Sequence, residues 1–299
     1  LDGDGDLDMV VGKDEGTQGS LQMFENVGTA YQPSFRRADA YEGFDLVLSL
    51  VLKNGKYPRP ALADLDGDDI LDLVVGVEDG TLYFFRGFMV PGVELPWFTA
   101  VVGWAPAGVT GEENAAPTLG DVDGDEVQDL IVGYAGAVHF HKNSGTKSAP
   151  SFDAASSYSF WDHADRWYAP ALGDLDGDAV PELVVGIENP KDAKELPKIE
   201  FASRQSLPAG YLIDAGFPDD LTPGAYPAPA LADLFGRGAD LAVGSENGDI
   251  ERFIFVRGYG NYYYYYAYGD GHRFFRETSS GSPTSKVSAE HVLGGGTYS

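Results

Sequence analysis

The 299 residues contain no cysteine, so no disulfide stabilises the chain and no thiol can act as nucleophile or soft metal ligand. That absence is neutral about compartment, because a metal clamp can replace a covalent one. Cations are scarce: 20 Lys and Arg face 47 Asp and Glu, a formal net charge of −27. A polyanion of this kind repels nucleic acid and acidic membrane surfaces, so neither is expected as a partner. No apolar run approaches the ~20 residues that a membrane-crossing helix needs. The chain also opens without an initiator methionine, inside an acidic loop, and is read as a fragment, so the lack of a secretory leader in it carries no weight.

What is present in excess is acid, and it is concentrated. Residues 60–76, PALADLDGDDILDLVVG, place a carboxylate-packed loop between two apolar runs. Numbered from Asp64, acids fall at loop positions 1, 3, 5 and 9 (Asp64, Asp66, Asp68, Asp72), with Gly67 at position 4. Four carboxylates converging within ~4 Å make six repulsive pairs of about 1 kcal/mol each even in a water-like dielectric. A hard divalent cation reverses that sign, since calcium takes six to eight oxygens at roughly 2.3–2.6 Å. Ile70, at position 7, has only its carbonyl to offer. An EF-hand would instead need glycine at position 6, glutamate at position 12 and flanking helices. Here the flanks are short, bounded by proline and glycine and rich in small or β-branched residues, which predicts strands.

The unit recurs. PTLGDVDGDEVQDLIVG from Pro117 supplies Asp121, Asp123, Asp125 and Asp129, with Val127 at position 7; PALGDLDGDAVPELVVG from Pro170 supplies Asp174, Asp176, Asp178 and Glu182, with Val180 at position 7. The opening LDGDGDLDMVVG aligns Asp2, Asp4 and Asp8 with positions 3, 5 and 9. A fifth copy, PALADLFGRGADLAVG, keeps Asp233 and Asp240 but has Phe235 and Arg237 in place of the middle acids, so no metal is expected there. The first loop positions are spaced by 57, 53 and 59 residues from Asp64 through Asp121 and Asp174 to Asp233. That period suits a four-stranded propeller blade with generous outer loops. Asp79-Gly80, Ala135-Gly136 and Asn247-Gly248 then mark hairpin turns into a third strand.

The runs DLDGDxxxDLVVG, preceded by P-A-L and followed by N-x-G-T-x-x-x-P-x-F (residues 24–35 and 140–152), resemble FG-GAP or VCBS repeats, the units of integrin alpha-chain-like β-propellers. The resemblance spans roughly residues 1–257 and implies calcium held by side chains at loop positions 1, 3, 5 and 9 and the carbonyl at 7. It leaves function open among adhesion receptors, lectin-like proteins and modules attached to enzymes.

The expected fold is therefore all-β: five blade repeats (about 1–57, 58–115, 116–167, 168–226 and 227–257), belonging to a ring of six or seven that missing sequence would complete. A low-complexity tail, 258–299, follows, in which the tyrosine run adds at most an edge strand and the last ~20 residues are expected to be disordered. Residues 41–52 are expected as an outer or linking strand of the first blade. The expected function is a non-enzymatic, calcium-binding, extracellular recognition or adhesion module, meeting a protein or glycan at its loop face. Loops of about 0.1–1 mM affinity fill outside cells and stay empty in resting cytosol. The alternative is a lectin or propeller-type polysaccharide lyase, for which Trp161, His163 and Trp167 form a candidate ligand patch on a loop, with Trp97 and Trp104 as further aromatics. His139 and His141 share one strand face, yet no convincing catalytic constellation emerges.

Overall fold

The computed structural model describes residues 1–14, 19–29, 34–38, 55–92, 95–101, 104, 113–154, 156–174, 181–188, 197–204, 211–213, 227–232, 240–244, 250–256 and 273–278. Every helix or strand among them is a strand, and neighbours in each sheet are antiparallel. The first sheet holds β1 (Met9–Asp14), β2 (Gly19–Asn26) and β3 (Phe35–Arg37). A four-stranded sheet follows: β4 (Arg59–Ala63), β5 (Asp72–Gly76), β6 (Leu82–Phe88) and β7 (Trp97–Ala100). Next come β8 (Ala116–Gly120), β9 (Asp129–Gly133), β10 (Ala135–His141), β11 (Ser156–Gly173), β12 (Glu182–Glu188), β13 (Lys198–Arg204) and β14 (Tyr211–Ile213), joined as one seven-stranded sheet. The last sheet is β15 (Ala228–Ala232), β16 (Asp240–Gly244), β17 (Ile250–Val256) and β18 (Arg273–Thr278).

The seven-stranded sheet is two four-stranded units sharing β11. Its first part pairs with β10 through two register shifts, and its last part, from Trp167 to Gly173, pairs with β12. Trp167 lies at the handover, opposite both Ala135 and Glu188. Residues 161–167 lie within β11 and not in a separate loop, although the ladder with β10 skips from Asp162 to Trp167, so residues 163–166 bulge between the two paired stretches. β18 comes from the stretch expected as tail and completes the last sheet. Residues 41–52 and the tyrosine run at 262–266 lie outside the described residues.

The apolar DLVVG runs are explained by two-sided burial. In β5, Leu73 and Val75 pack with Leu21, Val77, Phe85 and Phe98, toward the first sheet, while Val74 packs with Leu130, Val132 and Phe152 of the third unit. In β9, Leu130 and Val132 turn back to that same core, and Ile131 faces Leu183, Val185 and Ile187 of the fourth. Alternation along each second strand therefore feeds two cores, one per neighbour. Each fully buried Leu or Val contributes about 1.5–3 kcal/mol by transfer from water.

Units approach most closely at the end of the second strand. Ala115 N donates to Val77 O at 3.1 Å and Tyr168 N donates to Tyr134 O at 3.2 Å, each a backbone bond from one unit to the next. The carbonyls of Ala115 and Tyr168 then press on Gly76 and Gly133, where any Cβ would collide with them. Gly12 against Pro58 and Gly186 against Pro227 repeat the contact. Glycine stands at this point of the four second strands, the last residue in β5 and β9 and an inner one in β1 and β12, because the next unit's backbone occupies the side-chain position.

Candidate metal centre

The second and third acidic loops join the first and second strands of their units, and their own carboxylates shape them. Asp64 Oδ1 accepts the N–H groups of Gly67 (2.7 Å) and Asp68 (3.3 Å), and its Oδ2 accepts Asp69 N (3.0 Å). Asp121 does the same with Gly124 (2.6 Å), Asp125 (3.1 Å) and Glu126 (2.8 Å). The tight winding needs left-handed backbone at position 4, where Gly67 and Gly124 have φ of 73° and 82°. It needs it again at position 6, where Asp69 and Glu126 both have φ of 64°.

The ninth residue is the anchor. Asp72 and Asp129 are fully buried, and each accepts two backbone N–H groups from opposite sides. Asp72 takes Leu65 N (2.8 Å) and Gly87 N (2.8 Å); Asp129 takes Val122 N (3.2 Å) and Asn143 N (2.8 Å). Asp8 takes the equivalent third-strand N–H from Asn26 at 2.9 Å, and its other oxygen pairs with the Leu1 ammonium at 2.5 Å. Burial pushes the Asp72 and Asp129 carboxyls up to about 6, against the downward pull of those donors.

Three carboxylates converge in each of the two loops described throughout. Asp64, Asp66 and Asp72 bring one oxygen each within 4.8 Å of the others, and Asp121, Asp123 and Asp129 match them. Two oxygens at calcium distance from one ion are at most about 5 Å apart, so the spacing fits. Asp66 Oδ1 is buried without a hydrogen-bond partner, an orphaned acceptor that a cation would satisfy. The all-oxygen donor set suits a hard ion rather than a soft one.

The fifth-position Asp68 and Asp125 stand outside those triads. Their Oδ1 atoms hold the N–H groups of Ile70 and Val127 at 3.0 Å, and their Oδ2 atoms meet cations. In the first loop, Asp2 and Asp4 hold the N–H groups of Asp4 and Asp6 at 3.1 Å. Asp6, at position 7, carries a buried orphaned Oδ1. In the fourth, Asp174 is half-buried and Glu182 buried, while Asp176, Asp178 and Val180 lie outside the described residues, as does the degenerate fifth loop at 233–239.

Sequence reasoning missed the shell behind the loops. Asn26 and Asn143, 2% and 1% exposed, open the N-x-G-T motif and tie its turn. Asn143 Oδ1 accepts Gly145 N (3.1 Å) and Ser151 N (2.9 Å), and its Nδ2 donates to Gln128 O (3.0 Å). Asn26 makes the equivalent turn bonds to Gly28 and Ser34. The motif itself was the available signal. Arg86 and Lys142, which contact the loop acids, had none beyond their charge.

Trp167 is half-buried and lines a cavity of about 20 Å³ with Arg59, Asn114 and Tyr168, room for a water rather than a sugar ring. His163 is exposed, the Trp161 side chain lies outside the described residues, and Trp104 packs against the core between units two and three. His141 is buried with Nδ1 3.0 Å from Asp153 O, and burial lowers its pKa.

Residues 121–185, from the third loop into the following unit's second strand, match the family model of the FG-GAP-like repeat. The chain carries an FG-GAP-like repeat. No curated protein matches the chain. The match opens on Asp121 and takes in the Asp121, Asp123 and Asp129 cluster; the like cluster of Asp64, Asp66 and Asp72 lies outside the matched residues.

Proposed function

We propose that this chain is a calcium-stabilised β-propeller module of the cell exterior, serving recognition rather than catalysis. The observation that carries the reading is the convergence of three carboxylates in each of two successive loops of an FG-GAP-like array. Asp64, Asp66 and Asp72 would hold one ion, and Asp121, Asp123 and Asp129 another; the bound cation supplies the missing countercharge. The protein's own part is to pre-form the site through the buried ninth carboxylate and the two left-handed turns. No helix among the described residues is long and apolar enough to cross a membrane, and millimolar calcium outside cells suits loops of this kind.

Loops two and three also wall a cleft of about 500 Å³, lined by Asp64, Gly67, Asp69, Glu126, Gln128 and Lys147. That cleft is the part of the loop face offered to a protein or glycan partner. Ion binding to the folded state alone adds ~2.7 kcal/mol per site at a hundredfold excess over Kd. Thermal melts in calcium and in chelator test the reading: a Tm several degrees lower in chelator is expected, and coincident melts would reject it.

A further inference from the structure

The residue opposite the ninth loop position on the third strand changes charge from unit to unit. One step beyond the pairs Met9–Phe24, Leu73–Phe85 and Leu130–His141, register places Glu25 opposite Asp8, Arg86 opposite Asp72 and Lys142 opposite Asp129. The same step beyond Leu183–Ala202 and Leu241–Phe253 places Ser203 opposite Glu182 and Ile254 opposite Asp240. The backbone relation is constant: Asn26, Gly87 and Asn143, each the next residue, donate to the ninth carboxylate. Only the side chain varies.

Where that side chain is a cation, it reaches into the loop. Arg86 Nε lies 2.5 Å from Asp66 Oδ2 and its Nη2 3.1 Å from Asp68 Oδ2. Lys142 Nζ contacts Asp123 Oδ2 and lies 2.9 Å from Asp125 Oδ2. Positions 3 and 5 are therefore bridged in both loops, by a guanidinium in one and an ammonium in the other. In unit one the register carries an acid instead, Glu25, held at 2.7 Å by Arg36 from the neighbouring strand.

We propose that Arg86 and Lys142 are tethered counter-cations that compete with a divalent ion for loops two and three, lowering affinity there and holding those loops closed in its absence. The inference rests on the calcium reading of the preceding section. One positive charge set among four carboxylates leaves the loop anionic, so the tethered group weakens uptake of an ion without abolishing it. Its hold is also one-sided. Asp66 has a side chain only 7% exposed and keeps Oδ1 unpartnered, while Asp64 and Asp72 each bring an oxygen to the same centre. A divalent ion taken up through Asp66 Oδ1 lies beside the tethered cation on Oδ2 of the same carboxylate, and their repulsion lowers affinity. A lone surface ion pair contributes little, whereas this pair stands where a stronger competitor would sit.

Calorimetric titration of the whole chain with calcium chloride, paired with melts in chelator, decides the point. Arg86→Gln and Lys142→Gln should each tighten one site about tenfold and lower the chelated Tm, because the same substitution removes a competitor and a clasp. Arg86→Lys, which keeps a cation at the register where Lys142 already bridges loop three, should restore affinity to about the wild-type value and the chelated Tm with it. Unchanged or weaker calcium affinity in both Gln variants, or an Arg86→Lys variant that behaves as Arg86→Gln, overturns the inference while leaving calcium binding standing. Absence of calcium uptake by the wild-type chain overturns both.

Discussion

Gly133→Ala and Gly244→Ala alter the same residue at the end of the same strand, and the structure assigns them different outcomes. At Gly133 a new Cβ would overlap the carbonyl oxygen of Tyr168 and lie 2.6 Å from Pro170 Cδ. Both belong to the first strand of the next unit, and a backbone carbonyl cannot rotate away as a side chain does. The N–H of Tyr168 is meanwhile bonded to Tyr134 O at 3.2 Å, so retreat also stretches a bond between units. Overpacking of this type costs about 1–3 kcal/mol, and the upper end is expected where the obstacles are a backbone carbonyl and a rigid proline ring. At Gly244 the nearest neighbour of a new Cβ among the described residues is Ala228 O at 3.9 Å, an ordinary contact. Alanine there should be neutral or gain ~0.5–1 kcal/mol from a stiffer unfolded chain. Urea unfolding in saturating calcium reads both variants without disturbing the loops; at roughly 2–4 °C per kcal/mol, Gly133→Ala should also melt several degrees early. Equal midpoints for Gly133→Ala and wild type would refute the close approach between units.

Two further predictions concern the loops. In metal-free protein, Asp72 and Asp129 have folded-state carboxyls at about 6, above the ~3.9 of an unfolded aspartate. A raised folded value contributes stability that is full below about pH 4 and lost as pH rises through 6, up to about 3 kcal/mol per group; melts in chelator should fall between pH 4.5 and 7, and a rise across that window would contradict the burial argument. Asp69, exposed and at φ 64°, should accept glycine with little change, as Gly5 at φ 97° does in the first loop, whereas Asp69→Val should cost about 1–2 kcal/mol. Equal urea midpoints for Asp69→Val and wild type would show that the loop relaxes out of the left-handed region.

Much of the unit was legible from local pattern. Acids at alternating positions around a glycine, between short β-branched runs, specify a strand, a carboxylate turn and a second strand, and these are local decisions made within about seventeen residues. The N-x-G-T motif likewise marked the turn after the third strand, though the buried role of Asn143 was not readable. Ala135-Gly136 turned as expected, with Tyr134 N bonded to Ala137 O at 2.8 Å. Residues 161–167 read equally as a surface patch or as tryptophans packed between blades; that they bulge within one long strand was not legible, because the two hairpins that share β11 set its paired ends at Asp162 and Trp167.

The order of acids in the chain was enough to establish that oxygen donors repeat at successive turns of an all-β array, because backbone bending between neighbouring residues places them. Which oxygen does what was settled only by packing. The ninth carboxylate is an anchor because a third strand delivers an N–H to it from fourteen or fifteen residues away. The glycine of each second strand is indispensable or incidental according to whether another unit's carbonyl fills the space beside it.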